Sequence, residues 1–127
     1  MTTTVFPPWN KGFFWTPSTT AGAGGALPAG ETDSTVTVAV RMDGDITHSP
    51  GNYSFSATAP AAQETMTPAQ FQTAIGVTLP SGDYWVAFAQ TDTLNGATAT
   101  SGWTAEEPFS VPPVIVSPAP PAAFGVS

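Results

Sequence analysis

Cysteine is absent from the 127 residues, so neither a disulfide framework nor a thiolate metal site can be built. Basic charge is almost absent too. Lys11 and Arg41 stand against nine Asp and Glu residues, for a formal net charge of −7. A nucleic-acid binder needs clustered Lys and Arg to neutralise phosphates, and an anionic membrane surface asks for the same, so neither partner is expected. His48 is the only histidine, which excludes a multi-histidine metal site and two-histidine catalysis. No run approaches the roughly 18 apolar residues of a membrane span. Met1-Thr2-Thr3-Thr4-Val5-Phe6-Pro7-Pro8 lacks the basic and apolar regions of a secretory signal, so a soluble protein made in the cytoplasm is expected.

Charged residues are only 9% of the chain, far below the roughly 25% of an average soluble domain. Hydrophobic residues make up 41%, too many for a polar disordered chain, and the length suits one domain. Twelve Gly and fourteen Pro favour short strands, turns and extended arms over helices.

Three segments follow. Residues 1–33 form an N-terminal arm in which Phe6, Trp9, Phe13, Phe14 and Trp15 follow no period, and Ala21-Gly22-Ala23-Gly24-Gly25-Ala26 reads as a hinge. These rings must leave water, either against this chain's own domain or against a neighbour; the hinge favours the neighbour. Residues 34–111 carry the regular structure. Val36, Val38, Val40 and Met42 alternate with Thr35, Thr37, Ala39 and Arg41, and Tyr53, Phe55 and Ala57 alternate with Ser54, Ser56 and Thr58, giving two strands. Thr67-Pro68-Ala69-Gln70 is a capping box, and Phe71, Ala74 and Ile75 followed by Gly76 complete about two helical turns. Asp83 to Gln90 is apolar or small on both faces, as a central strand should be. Asn95-Gly96 predicts a hairpin turn, and Trp103 to Val111 a last strand, with Pro108 marking an edge. Residues 112–127 read as a Pro-rich C-terminal arm whose Val114-Ile115-Val116 could add a strand to a neighbouring sheet.

Candidate chemistry is sparse. His48 sits in a turn with no nucleophile-elbow motif and reads as an exposed loop histidine. Asp43-Gly44-Asp45, with Asp92 or Glu106-Glu107, offers oxygen ligands for calcium. EF-hand spacing is missing, however, and Asp-Gly-Asp suits a turn on backbone grounds alone. Glycosidase-type paired carboxylates would need a cleft deeper than a core of this size supplies. Gly22 to Gly25 lacks the lysine of a phosphate loop. Trp85 and Trp103 could form a sugar-stacking platform; the competing reading packs Trp103 in the core and covers Trp85 with the arm.

Leu79-Pro80-Ser81-Gly82-Asp83-Tyr84-Trp85-Val86 resembles the Leu-x-Pro-Gly-x-x-Tyr-x-Val region that opens the sixth strand of fibronectin type III and related immunoglobulin-like domains. Asn95-Gly96, Gly102-Trp103-Thr104 and Pro108-Phe109-Ser110-Val111 are similar to their closing hairpin. The resemblance implies that Tyr84 is a corner tyrosine bonding back to the backbone near Leu79 or Pro80. The immunoglobulin cysteine pair is absent, and the helix replaces a plain strand connection. The expectation is therefore an all-β chain: an immunoglobulin-like β-sandwich with one short helix and extended N- and C-terminal arms. A jelly-roll or small β-barrel is the alternative.

Such modules, with Pro/aromatic arms and few lysines, look like virion proteins of tailed bacteriophages. The sparse chemistry leads us to expect no enzyme and no cofactor, and the resemblance implies a structural capsid decoration or cement protein, assembled in the host cytoplasm. It would be oligomeric and bound to a major capsid protein or another virion protein. Phe6, Trp9, Phe13, Phe14 and Trp15, with Val114, Ile115 and Val116, would be the partner-binding residues, and Tyr84 and Trp103 structural. The alternative is a carbohydrate-binding or adhesion module on a phage tail or cell surface.

Overall fold

A computed structural model describes residues 4–22, 24–44, 53–113, 117–123 and 125–126. The chain is all-β and sandwich-like. Strands β1 (Phe13–Phe14), β2 (Thr32–Met42), β3 (Phe55–Pro60) and β4 (Thr65–Met66) precede helix α1 (Pro68–Ile75), and β5 (Gly82–Leu94), β6 (Ala97–Thr100) and β7 (Glu107–Val111) follow it. The main antiparallel sheet has the order β3-β2-β5, with β6 and β7 lying along successive stretches of the free edge of β5. The second sheet is only β1 paired with β4.

Register assigns the faces. Val38 lies opposite Phe88 and Ala57, Val40 opposite Val86 and Phe55, and Tyr84 opposite Phe109, so these side chains share one face. Val38, Val40 and Tyr84 on that face are fully buried. Burial of a side chain of this size contributes roughly 1.5–3 kcal/mol. The Tyr84 hydroxyl donates to Pro80 O at 2.6 Å, the corner bond expected from the sequence. Helix α1 matches its capping box on both sides, with Gln70 N donating to Thr67 Oγ1 and Thr67 N to Gln70 Oε1. Gly76 ends it in the left-handed conformation, and Phe71 drops into the core.

The N-terminal segment departs from expectation. Instead of reaching for a neighbour, it roofs the apolar face of its own sheet. Trp9 N donates to Ser110 O and Ser110 N to Pro7 O, both at 2.8 Å, tying the segment to β7. Trp15 N donates to Glu64 O, and Trp15 Nε1 to Ala61 O at 3.1 Å, tying it to the chain before β4. Trp9, Phe13 and Trp15 are buried at 8%, 4% and 8% exposure. Their assignment as partner-binding residues is therefore corrected: a nearby apolar sheet face gave the rings shelter within the chain. The boundary at residue 34 moves as well, since β2 begins at Thr32 and the core includes Trp9. Nor is 21–26 an open hinge. Thr20 bridges Ala26, and Ala21 N donates to Gly25 O, closing a local turn.

Trp103 is the second correction. The expected last strand leaves the ladder over residues 101–106, and Trp103 there is 40% exposed, its ring 4.8 Å from that of Tyr53. Thr104 Oγ1 and Ser101 Oγ accept from Phe88 N and Gln90 N, so hydroxyls stand in for the missing strand carbonyls.

Gly12 is the point on which the roof closes. Its φ is +96°, and a Cβ there would lie 2.0 Å from Met66 O. Gly12→Ala should cost at least about 2 kcal/mol in urea unfolding, because a strained φ and a backbone clash coincide. Deleting residues 1–15 should leave no cooperative transition at all. A truncated chain that still melts sharply would show that the segment is dispensable to the core.

Candidate protein-docking face

Two residues of β1 decide the site. The period-2 pleat turns Phe13 inward and Phe14 outward, and Phe14 is 78% exposed. An exposed phenylalanine on a pinned strand loses little further freedom when a partner covers it.

Phe14 stands between two open grooves and lines both. The first has a volume of about 810 Å³ and runs between residues 14–31 and the far half of β5. Trp15, Leu27 and Phe88 give it an apolar side, and Glu31, Gln90 and Asp92 a polar end. Gln90 organises that end. Its Nε2 donates to Asp33 Oδ1 and Asp92 Oδ1, both at 2.9 Å, and to Ser18 O at 3.1 Å, while its Oε1 accepts from Ser18 N at 2.7 Å. The carboxyl of Glu31 titrates above its ordinary range, first through its hydrogen bond with Asp92 and then through desolvation and repulsion. That of Asp33 is raised by desolvation and then by the Asp92 charge. This end accepts hydrogen bonds and holds protons above the usual carboxylate range. Among the described residues, no group of three or more His, Cys, Asp or Glu is placed to hold a metal ion.

The second groove, about 600 Å³, lies between residues 7–14 and the edge formed by Thr104 to Phe109. Its walls include Pro8, Trp9, Phe13, Phe88 and Phe109, with Lys11 and Glu107 as its charged lining residues. Trp9 Nε1 is buried and has no hydrogen-bond acceptor.

The other sheet face carries Trp85, in edge contact with Phe6 at 5.3 Å and 5.7 Å below the Arg41 guanidinium. Its Nε1 donates to Asp43 Oδ1 at 2.9 Å. Arg41 also makes a two-pronged ion pair with Glu106, at 2.7 and 2.9 Å. Asp43, Glu106 and Asp92 are thus engaged separately, not gathered into the calcium set considered from sequence. Asp45 and His48 lie outside the described residues.

Of the proposed partner-binding residues, Phe14 is exposed and Phe6 half-buried against Trp85. Val114, Ile115 and Val116 lie outside the described residues. Sequence reasoning missed Gln90 and Ser18. Parity held one clue: continuing the inward positions of β5 past Phe88 lands on Gln90 and Asp92, polar residues where apolar ones would extend a core.

Fold and face together define an all-β, sandwich-like module with an exposed phenylalanine set between two open grooves. No known protein family, no curated protein and no solved structure matches this chain.

The acidic end fixes a pH dependence. Both carboxyls titrate higher in the folded chain than in an unfolded one, so the folded state binds protons more tightly. Their contribution is most favourable below the ordinary carboxylate range and is lost as pH rises through the raised folded values. Asp92→Asn should return the NMR titrations of Glu31 and Asp33 towards ordinary values. It should also flatten the stability profile over the pH range just above the ordinary carboxylate range. Unchanged titrations would show that Asp92 is not the source.

Proposed function

We propose that this chain is a structural, non-catalytic binding protein that grips a neighbouring polypeptide through the face around Phe14. The observation carrying the proposal is Phe14 itself, 78% exposed on a strand whose other side chain is locked in the core. Anchors of this kind, aromatic and flanked by grooves, concentrate binding energy at protein interfaces. The revised contact surface replaces the arm mechanism: Trp9, Phe13 and Trp15 hold Phe14 in place instead of binding the partner themselves.

The immunoglobulin-like reading is supported by the Tyr84–Pro80 bond and by a sheet of order β3-β2-β5 closed by β6 and β7. The proposed setting, a decoration protein on the capsid of a tailed bacteriophage, rests on the sequence resemblance alone. A major capsid protein or another virion protein would be the neighbour there.

A second reading draws on Trp103. Its 40% exposure beside Tyr53 leaves an aromatic surface on which a sugar ring could stack, as an adhesion module would require.

A photo-crosslinking phenylalanine analogue at position 14, expressed in the native source, tests the first reading. A repeated adduct to one structural protein is expected, with none from the same analogue at Asn95, in the tight turn that joins β5 to β6. Phe14→Ser should then weaken binding to that purified protein roughly 10–100-fold without changing the melting temperature. If position 14 yields no adduct while a glycan array lights up and goes dark with Trp103→Ala, the second reading replaces the first.

A further inference from the structure

We propose that residues 16–22 are held to β5 by a proton-controlled latch: the Gln90 amide grips them while the carboxyls around it share a proton, and loosens when those carboxyls are all ionised. The inference concerns one wall of the groove beside Phe14, and it stands or falls independently of the docking reading.

The latch is a side chain with more acceptors than hydrogens. Gln90 Nε2 carries two hydrogens and faces three acceptors, Asp33 Oδ1 and Asp92 Oδ1 at 2.9 Å and Ser18 O at 3.1 Å. Gln90 Oε1 accepts from Ser18 N at 2.7 Å, so the amide grips Ser18 from both sides. Of the three acceptors, Ser18 O is the most distant and the one that never carries charge. A hydrogen bond to an ionised acceptor is roughly twice as strong as one between neutral groups. With both aspartates ionised, they take the two hydrogens and Ser18 O goes without. With a proton on the cluster, one hydrogen is released to Ser18 O and the grip is complete.

The surroundings make that proton matter. Asp33 and Asp92 lie directly opposite each other on β2 and β5, where like charges repel. Glu31, just before β2, hydrogen-bonds with Asp92, which is 9% exposed. Two carboxyls joined in this way need a hydrogen between them. No lysine or arginine relieves the cluster, since Lys11 lines the other groove and Arg41 is paired with Glu106 on the opposite sheet face. Segment 16–22 and β6, which pack against it, carry no titratable side chain. The Glu31 carboxyl is raised first by its bond with Asp92, and that of Asp33 first by desolvation. The latched state therefore binds protons more tightly than the open one. It is favoured at low pH and lost as pH rises through the raised values.

The segment has few other ties to the sheet. Trp15, just before it, is fixed by its Nε1 bond to Ala61 O. Beyond it, Ser18 Oγ bonds with Thr20, and Thr20 bridges Ala26, contacts that travel with the segment. Among the described residues, Gln90 is the side chain of β5 that hydrogen-bonds to it. Opening uncovers Val36 and Phe88 on the floor of the groove and leaves Phe14, before Trp15, in place. Protonation thus biases a two-state element.

Backbone 15N relaxation of residues 18–22, recorded below, within and above the ordinary carboxylate range, tests this, with the amide signals of β2 and β5 confirming an intact sheet at each pH. Order parameters should fall from about 0.85 to about 0.6 or below as pH rises, with the midpoint of the Glu31 titration. Glu31→Gln keeps a hydrogen on Asp92 at every pH, and Asp92→Asn removes a charge that competes for the amide. Both should keep the segment ordered throughout. Gln90→Met keeps the length and removes the amide, and should leave it mobile throughout. A segment equally ordered across the range, or a pH profile unchanged in Glu31→Gln and Asp92→Asn, overturns the proposal. So does a pH transition that persists in Gln90→Met, which would show that the carboxyls act without the amide.

Discussion

A sheet with one apolar face is half a structure until something covers it, and here the cover is a segment with almost no secondary structure of its own. Phe13 is where the layers meet. Its ring lies 5.0 Å from Trp9, 5.2 Å from Phe71 of α1 and 5.1 Å from Phe109 of β7. Arm, helix and sheet thus share one aromatic cluster, and each close aromatic pair adds roughly 0.5–1.5 kcal/mol beyond the area it buries. The two-residue pairing of β1 with β4 supplies too few backbone hydrogen bonds to hold the roof by itself. It sets direction; the rings supply adhesion. Because alternate side chains of a strand point to opposite faces, fixing Phe13 inward leaves Phe14 outward. The exposed Phe14 ring is a geometric consequence of the core.

Features with a short repeat were legible from sequence. The alternation of Val36, Val38 and Val40 gave β2, the two-faced apolar run before Gln90 gave a central β5, and Thr67 with Gln70 gave the start of α1. Each signal is local, set by residues two to four apart. The destination of the N-terminal rings is a different kind of fact. It depends on Gly12 adopting a positive φ against Met66 and on a bridge between Pro8 and Ser110, contacts spanning 54 and 102 positions. No periodicity records these, and a segment rich in proline and aromatics is compatible with either destination until the sheet is in place.

Glycine content misled at 21–26 for a related reason. Composition reports backbone freedom, not whether the freedom is used for motion or for a tight turn. In this chain the bridge from Thr20 to Ala26 spends it on a turn. Trp103 misled because an apolar residue near a strand pattern was taken to continue it. Ser101 and Thr104 interrupt the ladder by offering hydroxyls to Gln90 N and Phe88 N, so the strand line survives while the residue between them is turned out.

The two grooves beside Phe14 differ in what a partner must displace. Entering the first at its far end means taking Glu31 out of water beside the already buried Asp92, and the raised carboxyls of Glu31 and Asp33 show that their surroundings already oppose the ionised forms. A further loss of solvent there is repaid only by a ligand that brings cations or donors. The second groove asks for little of this. Its walls are mainly rings and prolines with Lys11 and Glu107 among them, and among the described residues Trp9 Nε1 is the buried polar side-chain atom without a partner. For an apolar ligand, Phe14 therefore has a less polar groove on one side and a more acidic one on the other. The distribution of carboxylates, more than the volume of either groove, sets the two sides apart.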